Sequence, residues 1–127
     1  MEQPDADQPP GKAGEKVAAE IHHIATDKNL ISKAAGGPFT PKFDILFKKA
    51  GMSLQDALNK VPVLGHKGPH PEYNAAVYER LQGAVKGLEG NAYKSALQAE
   101  LKAIGNESST SGTALNKLIT ASAKDAQ

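Results

Sequence analysis

The chain carries four histidines, and they fall in two tight pairs: Ile21-His22-His23-Ile24 and Gly65-His66-Lys67-Gly68-Pro69-His70-Pro71. Neutral imidazole is a common ligand for divalent metals, and its proton equilibrium near neutral pH also suits it to general-base work. An adjacent pair plus a pair four residues apart suits one site in which some rings hold a metal and another moves a proton. In extended backbone, His22 and His23 point to opposite faces. One ring can then bind metal while its neighbour meets a substrate. No other constellation competes. Cysteine is absent, which removes thiol nucleophiles, cysteine-based zinc knuckles and disulfides. There is no Gly-x-Ser-x-Gly, and the carboxylates are dispersed.

The elements that must position these rings are legible in part. Residues 21–25 read as extended, after a helical turn over residues 15–19. Phe43, Leu46 and Phe47 recur at i, i+3 and i+4, which predicts a helix from Thr40 to about Ala50. Thr40 is its predicted N-cap, Pro41 opens the first turn, and Gly51 follows the last. Ser53 reads as the cap of a short helix over residues 54–58. Residues 59–64 read as a short extended piece, confined to an edge by Pro62. From Pro71 a helix runs to about residue 87, with Tyr73, Val77, Leu81 and Val85 on one face. That arrangement puts His66 in a strand-to-helix turn and His70 at a helix N-terminus, where free N–H groups favour a phosphate. Two further helices are predicted over residues 92–104 and 113–124, divided by a polar loop over residues 105–112.

A chain of 127 residues is one domain, long enough for a real core. Residues 1–14, with three prolines, two glycines and few apolar side chains, read as a disordered leader, and residues 15–127 as the domain. Residues 1–20 hold five acids against two lysines. Residues 21–104 hold ten lysines and one arginine against seven acids, net +4. A mildly basic body permits phosphate binding without demanding it. Lys28, Asn29, Lys67 and Arg80 are the phosphate-contact candidates, although a lone mid-helix arginine more often makes a salt bridge. No apolar run reaches membrane-spanning length, and Glu2, Asp5 and Asp7 stand where a Sec signal would be basic.

Several stretches together carry a family resemblance. They are His22-His23-Ile24, Lys28-Asn29, Gly36-Gly37-Pro38-Phe39, Phe47-Lys48-Lys49-Ala50-Gly51-Met52, Asn59-Lys60-Val61, and Gly65-His66 through His70-Pro71-Glu72-Tyr73-Asn74. The pattern resembles the AHH branch of the HNH/endonuclease VII superfamily of ββα-metal nucleases, over roughly residues 17–82. The fold it implies is α+β, a mostly helical small domain built around a ββα-metal finger. The finger would span residues 17–87, with supporting helices over residues 91–124.

The resemblance also assigns roles. His22 would be a metal ligand with His66 and His70, His23 the general base, and Asn59 a brace for the loop beyond the first pair. The implied cofactor is one divalent ion, with magnesium or manganese as working metal and zinc or nickel as metals that such a site also retains. The implied activity is endonucleolytic hydrolysis of DNA, double-stranded first. The branch is one of toxin domains on secreted bacterial proteins. It implies a larger carrier protein, a cognate immunity protein, and delivery without a Sec signal into the target-cell cytoplasm, with no membrane partner. The rivals are an RNase or single-strand nuclease of the same fold, a housekeeping restriction or repair nuclease, and a non-catalytic, metal-stabilised binding module.

Overall fold

A computed structural model describes residues 19–68 and 70–120 of the chain. The predicted leader, residues 15–18 of the helical turn predicted over 15–19, Pro69 and the end of the last predicted helix lie outside the described residues, and Ala19 is extended. Two strands form an antiparallel pair: β1 (Ala19–His23) and β2 (Lys60–Leu64). The register sets His22 opposite Val61 and Ile21 opposite Pro62. A two-stranded sheet is all edge, so Pro62 does not break it.

Among the described residues, four helices pack with the pair: α1 (Thr40–Lys49), α2 (Pro71–Val85), α3 (Gly90–Ser109) and α4 (Ala114–Thr120). The architecture is α+β, and β1, β2 and α2 form the ββα unit. Alternation in β1 turns His22 inward, 2% exposed, while Ile21 faces out. Phe43 and Phe47 of α1, Tyr73, Val77 and Leu81 of α2, and Leu97, Leu101 and Ile104 of α3 fill the core around Val63 and Ile24. Among the described residues, no helix is long and apolar enough to cross a membrane.

Three local expectations need correction. Helix α3 runs on to Ser109, through most of the predicted polar loop. Its polar residues have partners: Glu107 pairs with Arg80, Ser108 is buried, and the Ser109 hydroxyl donates to the Gly105 carbonyl at 2.9 Å. Gly105 also lets α3 approach the residue that follows β1, since a Cβ there would lie 3.1 Å from Ile24 Cδ1.

Thr40 is the first helical residue of α1 and not its cap. Its hydroxyl accepts from the Asn29 amide (2.8 Å) and donates to the Thr26 carbonyl (2.9 Å), tying the helix to the loop after the first histidine pair. The predicted helix over residues 54–58 is a tight turn followed by a single 3₁₀ turn, Ala57–Asn59. Ser53 does accept from the Gln55 amide (2.9 Å), while Asp56 accepts from the Ser53 amide (3.1 Å). This reciprocal capping closes a turn that no apolar stripe extends.

Candidate metal and catalytic site

Three of the four histidines converge from three elements. His22 comes from β1, His66 from the turn after β2, and His70 from the position just before α2. Gly65, at φ +72°, reverses the chain after β2, a conformation that glycine adopts without strain. The Lys67 amide then donates to the Ile119 carbonyl of α4 at 2.7 Å, which fixes the turn carrying His66.

His22 Nδ1 lies 3.1 Å from His66 Nε2, and His66 Nε2 lies 3.3 Å from His70 Nε2. Ring nitrogens of all three fall within 4.8 Å of one another. Three nitrogens at about 2.0 Å around a tetrahedral ion stand about 3.3 Å apart, so two of the three edges already have that length.

The electrostatics agree with a metal-binding set. Burial, and then the adjacent imidazoles, push His22 down to about 3 and His70 down to about 4. Both rings are neutral at pH 7, the form that offers a lone pair. Nε2 of His22 meets the Tyr73 hydroxyl at 2.8 Å, and that hydroxyl meets Ser108 Oγ at 3.2 Å. Such a contact on one nitrogen would orient the imidazole so that Nδ1 could hold a metal. Burial holds the Tyr73 hydroxyl above its ordinary pKa, so it remains protonated. Two buried side-chain atoms among the described residues lack a hydrogen-bond partner, His70 Nδ1 and Asn74 Oδ1. Both belong to residues of the same cleft, which has about 320 Å³ and is also lined by His22, His23, Lys28, Asn29 and His66. Three clustered imidazoles, with those of His22 and His70 held neutral, open on this cleft and fit a divalent cation with positions left for water and phosphate.

His23 stands apart from the three, partly exposed, but lines the same cleft. Its Nε2 faces Gln55 Oε1 at 3.3 Å and Asp27 Oδ2 at 3.4 Å. Beneath it, Asn59 is fully buried and saturates the loop beyond the pair. It accepts from the Ala25 amide at 2.7 Å and donates to the carbonyls of Ala25 (2.9 Å) and Leu54 (2.8 Å).

The phosphate candidates divide. Lys28 is exposed on the cleft rim. Asn29 also lines the cleft, but its Oδ1 accepts from the Phe39 amide at 2.6 Å, so that oxygen serves the loop. Lys67 is exposed and is not among the cleft-lining residues. Arg80 makes the salt bridge expected of a lone mid-helix arginine. Its guanidinium meets Glu107 through two bonds of 2.7 and 2.9 Å and Glu100 at 2.7 Å, joining α2 to α3, and it does not line the cleft.

Sequence reasoning passed over Tyr73's hydroxyl, Asp27 and Gln55. Tyr73 stands in the sequence on an apolar helix face and in the stretch that carries the resemblance, three residues past His70, but nothing local announces the use of its hydroxyl. Asp27 sits four residues past His23, and Gln55 has no signal in the sequence.

The residue before the first pair is Ile21, exposed on the outer face of β1, with the nearest alanine at Ala19. No curated protein and no solved structure matches the chain. A family model described as AHH, a nuclease family of the HNH/ENDO VII superfamily with conserved AHH, matches residues 5–108. With most of the chain under that match and the paired histidines at its centre, the chain belongs to the AHH family of nucleases.

Proposed function

We propose that this nuclease is a metal-dependent endonuclease that hydrolyses double-stranded DNA, with a divalent ion on His22, His66 and His70 and His23 as general base. The observation that carries the reading is the convergence of three imidazole nitrogens beside a fourth, separately held imidazole in one cleft.

A phosphodiester resists attack because its charge repels the nucleophile and its leaving oxygen is poor. A bound divalent ion supplies positive charge to a phosphoryl oxygen and to the departing oxygen. The chain's residues do the rest. Tyr73 holds His22 in the tautomer whose Nδ1 faces the cleft. Asn59 fixes the loop that follows His23. His23 takes the proton from the attacking water as the new bond to phosphorus forms and the bond to the 3′-oxygen breaks, leaving 5′-phosphate and 3′-hydroxyl ends. Lys28 on the rim is the remaining phosphate contact.

The biological reading rests on the resemblance. The domain acts as an antibacterial effector carried on a larger secreted protein, delivered into the target-cell cytoplasm, and neutralised in the producer by a cognate immunity protein.

The test is a substrate panel of supercoiled plasmid, single-stranded DNA and RNA, each with magnesium, manganese, zinc, nickel or EDTA. Metal-dependent nicking of the plasmid ahead of the other substrates supports the reading. Preference for RNA or single strands replaces the substrate. Inertness toward all three under every metal leaves a structural metal site.

A further inference from the structure

We infer that Asp27, with Gln55, is a positioning pair for His23: together they hold the imidazole proton on Nε2 and keep Nδ1 free to accept a proton from water. This rests on the reading of His23 as the base. Both acceptors near the ring converge on one nitrogen, Gln55 Oε1 at 3.3 Å and Asp27 Oδ2 at 3.4 Å. The two are also joined to each other, since Gln55 Nε2 donates to Asp27 Oδ2 at 2.9 Å. That last bond fixes the amide orientation. With its N–H on Asp27, the Gln55 oxygen is the atom turned toward His23, and an oxygen can only accept.

Nε2 therefore carries the hydrogen, because two acceptors face it. His23 lines the cleft together with Asp27, whereas Gln55 stands outside it. The triangle thus engages Nε2 and leaves Nδ1, which has no protein partner among the described residues, for chemistry. When Nδ1 takes the water proton, the ring becomes a cation whose Nε2–H already points at a carboxylate. No atom of the pair needs to move. The water oxygen bonds to phosphorus, the phosphorus bond to the 3′-oxygen breaks, and that oxygen takes its proton from solvent. An orienting carboxylate behind a catalytic imidazole works in this way in other hydrolytic sites, where losing the correct tautomer costs most of the rate. Here the side chains of His23 and Asp27 are 20% and 24% exposed, so solvent weakens the clamp and the effect is smaller.

The experiment compares the full chain with Asp27→Ala and Gln55→Ala. It reads the His23 tautomer by long-range ¹H–¹⁵N correlation, metal affinity by calorimetry, and plasmid nicking at saturating metal. The wild type should show the Nε2–H form. Asp27→Ala should lose that preference, with kcat falling roughly ten- to a hundred-fold while KM and metal affinity hold. Gln55→Ala should show the same pattern to a lesser degree. Wild-type tautomer and kcat in Asp27→Ala overturn the inference, and so does a fall in metal affinity that accounts for the lost rate. Should Asp27→Ala fail to fold, the exposed Gln55 side chain decides, and an unchanged tautomer in Gln55→Ala overturns it. A wild type that cleaves no nucleic acid removes the base reading and this inference with it, a result distinct from an active wild type with an indifferent Asp27→Ala.

Discussion

The Tyr73 hydroxyl lies 2.8 Å from His22 Nε2, inside the core and on the ring nitrogen opposite the one that faces His66. It gives a buried β-strand histidine a fixed partner on one ring nitrogen and leaves Nδ1 to face His66, as the proposed metal-ligand role requires. Tyr73→Phe keeps the packing of the ring and removes only the hydroxyl, which leaves His22 Nε2 and Ser108 Oγ without that partner. Metal affinity should fall roughly ten- to a hundred-fold, the usual effect of losing a contact behind a ligand. Metal-free stability should drop by about 1–3 kcal/mol. Calorimetric titration with zinc and urea unfolding check the two effects separately, and an unchanged affinity contradicts the role.

Asn59 fills three buried hydrogen bonds with one side chain. Asn59→Ala strands the Ala25 amide and the carbonyls of Ala25 and Leu54, each at a cost of about 1 kcal/mol or more. A loss of about 3 kcal/mol or more is expected in urea unfolding. The His23 tautomer signal should also broaden, since the loop bearing Asp27 loses its anchor. A stability change under about 1 kcal/mol would mean that the loop is held by other contacts.

The metal-free protein should be acid-sensitive through two of its proposed ligands. His22 and His70 bind protons in the fold only near pH 3 and 4, against 6.5 for an unperturbed imidazole. Between those limits the unfolded chain binds protons that the fold refuses, so stability rises with pH across the window. The contribution is complete above pH 6.5 and is lost as pH falls toward the folded values. Urea midpoints at pH 7.5 and pH 5 in EDTA should differ by roughly 2 kcal/mol or more of stability. A flat profile would place both rings in a more solvated setting.

Arg80 should matter to stability and not to substrate. Arg80→Ala removes its bonds to Glu100 and Glu107 across α2 and α3, all partly exposed. The expected loss is about 1 kcal/mol. Its plasmid KM and the salt dependence of that KM should stay at wild-type values. A raised KM with a shallower salt dependence would restore Arg80 as a phosphate contact.

The sequence made the histidine constellation legible because ligand chemistry needs particular residue types, and four histidines in two pairs leave few arrangements. Helices α1 and α2 were equally plain, since Phe43, Phe47, Tyr73, Val77 and Leu81 repeat with the helical period and point at one core. Helix α3 was cut short at Ile104 because Gly105, Asn106, Glu107 and Ser108 have loop-like composition. What keeps them helical is tertiary: Ile24 against Gly105, and Arg80 against Glu107. Thr40 carries a cap residue's identity but spends its hydroxyl on Thr26 and Asn29, a long-range use that no local pattern announces. The triangle of His23, Asp27 and Gln55 was half visible as an i, i+4 pair. Gln55 arrives from a turn nearly thirty residues away in sequence, and only the fold brings it there.

The central claim is that the clustered histidines and His23 do different work in one cleft. The most direct measurement is single-turnover plasmid nicking by wild-type protein and His23→Ala, each loaded to the same metal content as judged by elemental analysis. His23→Ala should retain wild-type metal binding, fold and plasmid affinity while its rate drops by roughly a hundred-fold or more. His23→Ala protein that nicks at the wild-type rate, or that fails to take up metal, would contradict the division of labour.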